Sequence, residues 1–220
     1  MKTKENRQTA RKLLSTLVGA ILAGFAIGLG GMVFLSVENK VIGAALFTVG
    51  LFVVCTMGLN LFTGKLCYVF DNDRAYALNL PVIWIGNLLG TGLIALLASL
   101  TRAAPALRER AMGLCQIKLD DSLLSLLFLG LLCNVFIYIA VEGYRSNPHE
   151  LGKFLSLFFG VMGFILCGTE HCVADMFYFW MGGAWSGKAL VCILAITAGN
   201  FAGGILLPLL RWVQNGAVGR

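Results

Sequence analysis

The sequence predicts an all-α, polytopic membrane protein of six transmembrane helices, arranged as two inverted three-helix repeats in which the second and fifth helices are broken. Three observations carry that expectation: an apolar composition, six apolar runs of near-membrane length, and a polar interruption in the middle run of each half. Hydrophobic residues make up 58% of the chain, charged residues only 13%, and the mean hydropathy is +0.83. A soluble domain carries about a quarter charged residues, so that class is excluded. The 27 glycines lie inside apolar runs, which suits helices packed closely through small residues rather than a flexible chain.

Crossing the hydrocarbon core takes about 20 apolar residues. The runs 13–35, 41–61, 79–100, 123–141 and 189–210 have that character. The run 154–167 is shorter and leads into the polar cluster EHCVAD before FYFWMGG. Three crossings reverse the chain direction, so units spanning about 13–101 and 121–213 are inverted with respect to one another. The middle run of the first unit is interrupted at MGLNLFTGK (57–65) and that of the second at CGTEH (167–171). Paired interruptions at corresponding places point to a pathway near the midplane. The whole of 1–220 reads as a single transmembrane domain, with 1–12 a basic tail and 65–78, 101–122 and 142–153 polar links.

The net charge of +6 is densest in that tail, at Lys2, Lys4, Arg7, Arg11 and Lys12. A basic flank of this kind stays in the cytoplasm, and nothing in it asks for a nucleic-acid partner. It is not read as the start of a cleaved signal peptide, because the apolar run that follows is too long and lacks a small-x-small cleavage site. With both termini inside, cytoplasmic segments hold eleven of the 17 basic residues, so a cytoplasmic N- and C-terminus is expected. Seven scattered cysteines with no C-x-x-C pair read as small buried apolar side chains, not as a disulfide framework or zinc site.

The stretch GTEHCVADMFYF (168–179) places Glu170, His171 and Asp175 in an otherwise apolar region. Ionisable groups at membrane depth mark function by default. Together with GLNLFTGK (58–65), GNLLG (86–90), Cys133-Asn134 and GNFAGG (199–204), this stretch resembles the formate/nitrite transporter family over nearly the whole chain. The resemblance implies an aquaporin-like fold, a homopentamer with one pore per protomer, and passage of small monovalent weak-acid anions with protons. Formate or nitrite is the expected cargo and hydrosulfide the alternative within the family. No cofactor is implied, and a bacterial inner membrane is the expected location. By the same resemblance His171 is the central pore histidine and Thr63 faces it, with Asn134 beside them. Phe47, Leu51, Leu61 and Phe164 form apolar constrictions on either side. Lys118, sixteen residues before Asn134, is a vestibule lysine that attracts anions, and Lys12 is its looser cytoplasmic counterpart. The chain departs from the family in carrying Asp175 where asparagine is usual, and in a short connection between the fifth and sixth segments.

Elementary physics supports the same assignments. An unpaired anion in hydrocarbon costs on the order of tens of kcal/mol, so the path must supply positive potential and donors, or let the anion cross as a neutral acid. A lysine at a mouth focuses anions. A histidine, with an unperturbed pKa near 6.5, changes charge in modest surroundings, and a threonine hydroxyl both donates and accepts. Glu170 is expected to be structural, capping backbone amides at the break or bonding a neighbour, since a negative charge in the path would repel the cargo. Asp175, four residues after His171, either holds the histidine tautomer or faces a neighbouring subunit. A membrane enzyme or metal site on Glu170, His171 and Asp175 is the alternative of another class. It is weakly supported, because a metal wants three or four ligands and the other histidine, His149, lies in a link. A neutral-solute channel would call for paired N-P-A signatures, which the sequence lacks.

Overall fold

In the computed structural model of the protein, the backbone is described for residues 2–218 and the side chains for residues 7–216. Nine helices are present among the described residues: α1 Lys2–Ser36, α2 Lys40–Thr56, α3 Phe62–Leu66, α4 Arg74–Ser99, α5 Ala104–Asp120, α6 Leu123–Ser146, α7 Glu150–Leu166, α8 Cys172–Gly182 and α9 Gly187–Val218. Four of them, α1 from Arg7 on, α4, α6 and α9 up to Gly216, are long and apolar enough to cross a membrane. They are laid out in two similar groups. In the first, α1 packs on α4 and on α2; in the second, α9 and α7 pack on α6; α2 meets α7 between the groups.

Close approach of the long helices depends on the glycines flanking Asn87 and Asn200. A Cβ on Gly90 would collide with the Ile21 carbonyl oxygen of α1, and one on Gly199 with the Leu127 carbonyl oxygen of α6. The backbones touch there, and no side chain separates them.

Helices α2 and α7 end in the same way. Each runs into a glycine at positive φ, Gly58 at 65° and Gly168 at 68°, the left-handed conformation that costs glycine least. Behind each glycine a 6→1 bond closes the helix end, Leu59 N to Val54 O (2.9 Å) and Thr169 N to Phe164 O (3.1 Å). The chain then runs extended for a few residues before α3 and α8 begin. Its amides are taken up by the neighbouring long helix, Asn60 N by Gly19 O (3.2 Å) and Glu170 N by Leu129 O (3.3 Å).

Two asparagines complete each junction. The Asn87 side chain accepts from Phe62 N (2.8 Å) and donates to Ala20 O (2.7 Å) and Asn60 O (3.0 Å). Asn200 accepts from Cys172 N (2.9 Å) and donates to Gly130 O (2.7 Å) and Glu170 O (2.9 Å). Both asparagines are fully buried. A backbone buried outside a regular helix must find partners within the protein, and these two amides supply them.

Two expectations are corrected. Residues 101–122 are not a plain polar link: they contain α5, which buries Leu107, Ala111, Cys115 and Lys118 on one face. The three- and four-residue spacing of that face is helical, but the surrounding charge makes the segment too polar to register as a span. Residues 2–12 are not a separate tail but the first turns of α1. The side chains of Lys2 and Lys4 lie outside the described residues.

Replacing Asn200 with alanine strands one amide and two carbonyls in the interior. At about 1–3 kcal/mol for each buried polar group left unsatisfied, the variant is expected to unfold at a clearly lower temperature than the parent. Thermal unfolding in detergent, followed by tryptophan fluorescence, checks this; an unchanged midpoint would show that the amide does not hold the junction.

Candidate functional site: a threonine–histidine pair between two cavities

The two junctions meet at a single contact. Thr63 is the second residue of α3 and His171 is the N-cap of α8. Thr63 Oγ1 and His171 Nε2 are 2.9 Å apart, and both residues are buried. His171 Nδ1 accepts from the Ala174 amide at 3.2 Å, so that nitrogen carries no proton. The ring proton is thereby assigned to Nε2, which donates to the Thr63 hydroxyl and leaves the hydroxyl proton free for another acceptor.

Asn134 acts on this pair from behind. Its side-chain nitrogen donates to the Thr63 carbonyl at 3.1 Å and lies 3.8 Å from Cys67 Sγ. It lines neither cavity described below.

A stack of rings covers one flank of the histidine. Phe164 lies nearly parallel to the imidazole, with centroids 5.6 Å apart. Phe47 meets Phe164 edge-on at 6.0 Å, and Phe34 meets Phe47 at 6.4 Å. Such edge-to-face contacts fix ring orientation as well as burying area. Leu51 and Leu61, both fully buried, lie on the wall of a separate cavity.

Two cavities approach the pair. One, of about 370 Å³, is walled by Leu51, Leu61, Lys65, Tyr68, Tyr76 and Arg145, among others. The other, of about 190 Å³, is walled by Phe34, Phe164 and His171, with Lys40, Lys118 and Asp175 around them.

Lys118 lies within the protein rather than at an open mouth. It is 5% exposed, and its ammonium sits 2.9 Å from Glu170 Oε2 and 3.4 Å from Asp175 Oδ1, with the Tyr178 ring 5.8 Å away. Two carboxylates thus share one cation in a poorly solvated place, and Asp175 Oδ2 finds no protein partner among the described residues.

These geometries belong to a known architecture. The formate/nitrite transporter profile matches residues 1–213. The chain belongs to the formate/nitrite transporter family. The uncharacterized transporter YrhG of Bacillus subtilis is 31% identical, the alignment covering 94% of this chain and 82% of that protein. The nitrite transporter NirC of Escherichia coli is 26% identical over 94% of this chain and 85% of its own. A solved pentameric formate channel with formate bound superimposes with a TM-score of 0.77 at 25% identity, covering 93% of this chain and 98% of that one. The relatives of this family member are transporters and channels, not enzymes.

Several expected roles are placed differently within this family member. Of the two structural roles expected of it, Glu170 takes the second: the amides at the start of α8 go to Asn200 and to His171 Nδ1, and the Glu170 carboxylate bonds a neighbour, Lys118. Asp175 does not set the histidine tautomer, which the Ala174 amide decides; it too turns to Lys118. The position between the two carboxylates, where a metal ion would have to sit, is filled by the Lys118 ammonium. Lys12 is exposed on α1 and lines neither cavity. Sequence reading passed over Asn87, Asn200, Lys65 and Arg145. The asparagines lie within the G-N stretches that carry the family resemblance, and Lys65 lies at the end of GLNLFTGK.

Replacing Lys118 with methionine leaves two buried carboxylates without their cation. Breaking a buried pair in this way costs about 3–5 kcal/mol. A triple change, Lys118→Met with Glu170→Gln and Asp175→Asn, removes the stranded charges and is expected to recover part of the loss. Unfolding midpoints of the two variants test the order; equal midpoints would mean the cluster does not hold this corner together.

Proposed function

We propose that this chain is a pore for small monovalent weak-acid anions, with formate or nitrite as cargo and a proton moving alongside. In this reading α2 with α3 and α7 with α8 each make one broken crossing, so the protein crosses the membrane six times as two inverted repeats. Both termini are cytoplasmic, and five copies assemble around a shared axis. The observation that carries the proposal is the buried Thr63–His171 contact, with His171 and Phe164 on the wall of the smaller cavity and Leu51, Leu61 and Gly64 on the wall of the larger. The formate-bound pentamer among the solved structures and the nitrite transporter among the relatives point to the same class of cargo.

The chemistry follows from what each element provides. The apolar constrictions exclude a continuous file of water, which blocks proton leakage and makes a bare anion costly there. The Thr63 hydroxyl, held by the histidine, offers its proton to the cargo, and a hydrogen bond to a charged group is worth about 1.5–3 kcal/mol. An anion polarised there and joined by a proton passes the next constriction as a neutral acid. Asn134 positions Thr63 through its carbonyl, and the Lys118 cluster fixes the start of α8 and so the histidine.

The test is uptake into liposomes holding the purified protein. Formate, nitrite, lactate and hydrosulfide are compared at two pH values. Flux is expected to rise as pH falls, because protons then accompany more of the cargo. Thr63→Val is expected to slow it roughly ten-fold or more, the loss of one such hydrogen bond. His171→Asn is expected to abolish the pH dependence. A wild-type pH profile in the histidine variant would remove the proton role, and absence of flux for all four anions from folded protein would overturn the pore.

A further inference from the structure

The two cavities differ in charge in a way that the likeness between the two halves does not suggest. Helix α3 opens at Phe62 and α8 at Cys172, each with its first amide held by an asparagine. Counted from those equivalent starts, Lys65 and Asp175 occupy the same position, the fourth residue of each helix. One half carries a cation there and the other an acid.

The acid half is neutralised. Around the smaller cavity, Lys40 and Lys118 face Glu170 and Asp175, and Lys118 is tied directly to both carboxylates. Lys40 donates to the Leu166 carbonyl at 3.3 Å. The net charge on this wall is zero.

The wall of the larger cavity carries Lys65 and Arg145 and no carboxylate. Among the described residues neither cation has an acid within 4 Å. The guanidinium of Arg145 is held over the Tyr68 ring, 4.6 Å from its centroid. Glu142, one turn before Arg145 on α6, is already engaged: it accepts from Tyr68 Oη at 3.1 Å and pairs with Arg211 at 3.1 Å. Tyr76 Oη donates to the Lys65 carbonyl at 2.8 Å, fixing the end of α3 from which the lysine projects. Two cations with no acid partner, sharing one cavity wall with Leu51 and Leu61, raise the local concentration of anions there.

We propose that Lys65 and Arg145 form the anion-capture site of this pore, for small monovalent carboxylates and oxyanions, at the mouth opposite Lys118. The proposal rests on the reading of the chain as an anion pore. Electrostatic focusing in a cleft is worth roughly 10–10³-fold in local concentration and falls steeply with ionic strength.

The experiment measures formate and nitrite uptake against concentration in liposomes, at low and high ionic strength, for the full chain, Lys65→Met, Arg145→Met and the double variant. The double variant is expected to need roughly ten-fold more anion for half-maximal uptake, with maximal flux changed far less, and to lose most of the dependence on salt. Lys65→Arg, which keeps the charge, is expected to stay near the parent, and Lys153→Met, outside both cavities, is the control. Lys65→Gln and Arg145→Gln replace the methionine variants if those do not elute as the parent does. An unchanged half-saturating concentration and salt dependence in the double variant would overturn the capture site while leaving the pore intact. A parent protein that moves neither anion would instead overturn the pore, and the capture site with it.

Discussion

The constraint on which the rest of the structure depends is that two helices stop short and the chain then enters the interior outside a helix, at Leu61 and at Glu170, where every buried amide and carbonyl needs a partner. Asn87 and Asn200 meet it in the same way, each accepting one amide and donating to two carbonyls on different segments. Each asparagine therefore ties a short helix, the extended stretch before it and a long helix into one unit. The glycines beside them have the same purpose, because the asparagine reaches across only when α1 meets α4, or α6 meets α9, at backbone contact. With both junctions held, Thr63 and His171 face each other at hydrogen-bond distance. The central contact is a consequence of how the breaks are satisfied.

The distribution of charge follows from the same framework. The extended stretch before α8 carries Glu170, and the first turn of α8 carries Asp175, so both carboxylates emerge where α5 passes. Helix α5 is the element without a counterpart in the other half, and it delivers Lys118 between them. A single buried ammonium facing two carboxylates is held firmly and has little attraction left for an approaching anion. The corresponding stretch before α3 carries no acid, and Lys65 and Arg145 remain unpaired in their cavity. An architecture with two similar halves thereby holds two chemically different cavities.

Much of the site was legible in the sequence. Glu170, His171 and Asp175 stood out because charge in an apolar run has few bland explanations, and the interruptions at 57–65 and 167–171 coincide with the places where α2 and α7 stop. The partners of these residues were not legible. Lys118 lies more than fifty residues from Glu170, and no periodicity in one segment reports where another helix will pass. Helix α5 was missed because its buried face is narrow and its surroundings are charged. The part played by Asn87 and Asn200 was hidden for a different reason: an asparagine in an apolar helix shows that a hydrogen bond must be made, but not to what.

The sequence by itself determined the class of protein, the places where helices stop and the residues of unusual chemistry at those places, because hydropathy, glycine and charge act locally along the chain. Only the tertiary structure decided what each polar group touches. It sent the Glu170 and Asp175 carboxylates to Lys118, set the histidine tautomer through the Ala174 amide, and placed Lys65 and Arg145 without an acid partner among the described residues on the cavity wall that holds Leu51 and Leu61. The physical reason is distance: hydrogen bonds and ion pairs form over about 3–4 Å in space, and helices that bring residues this close are separated by tens of positions in the chain.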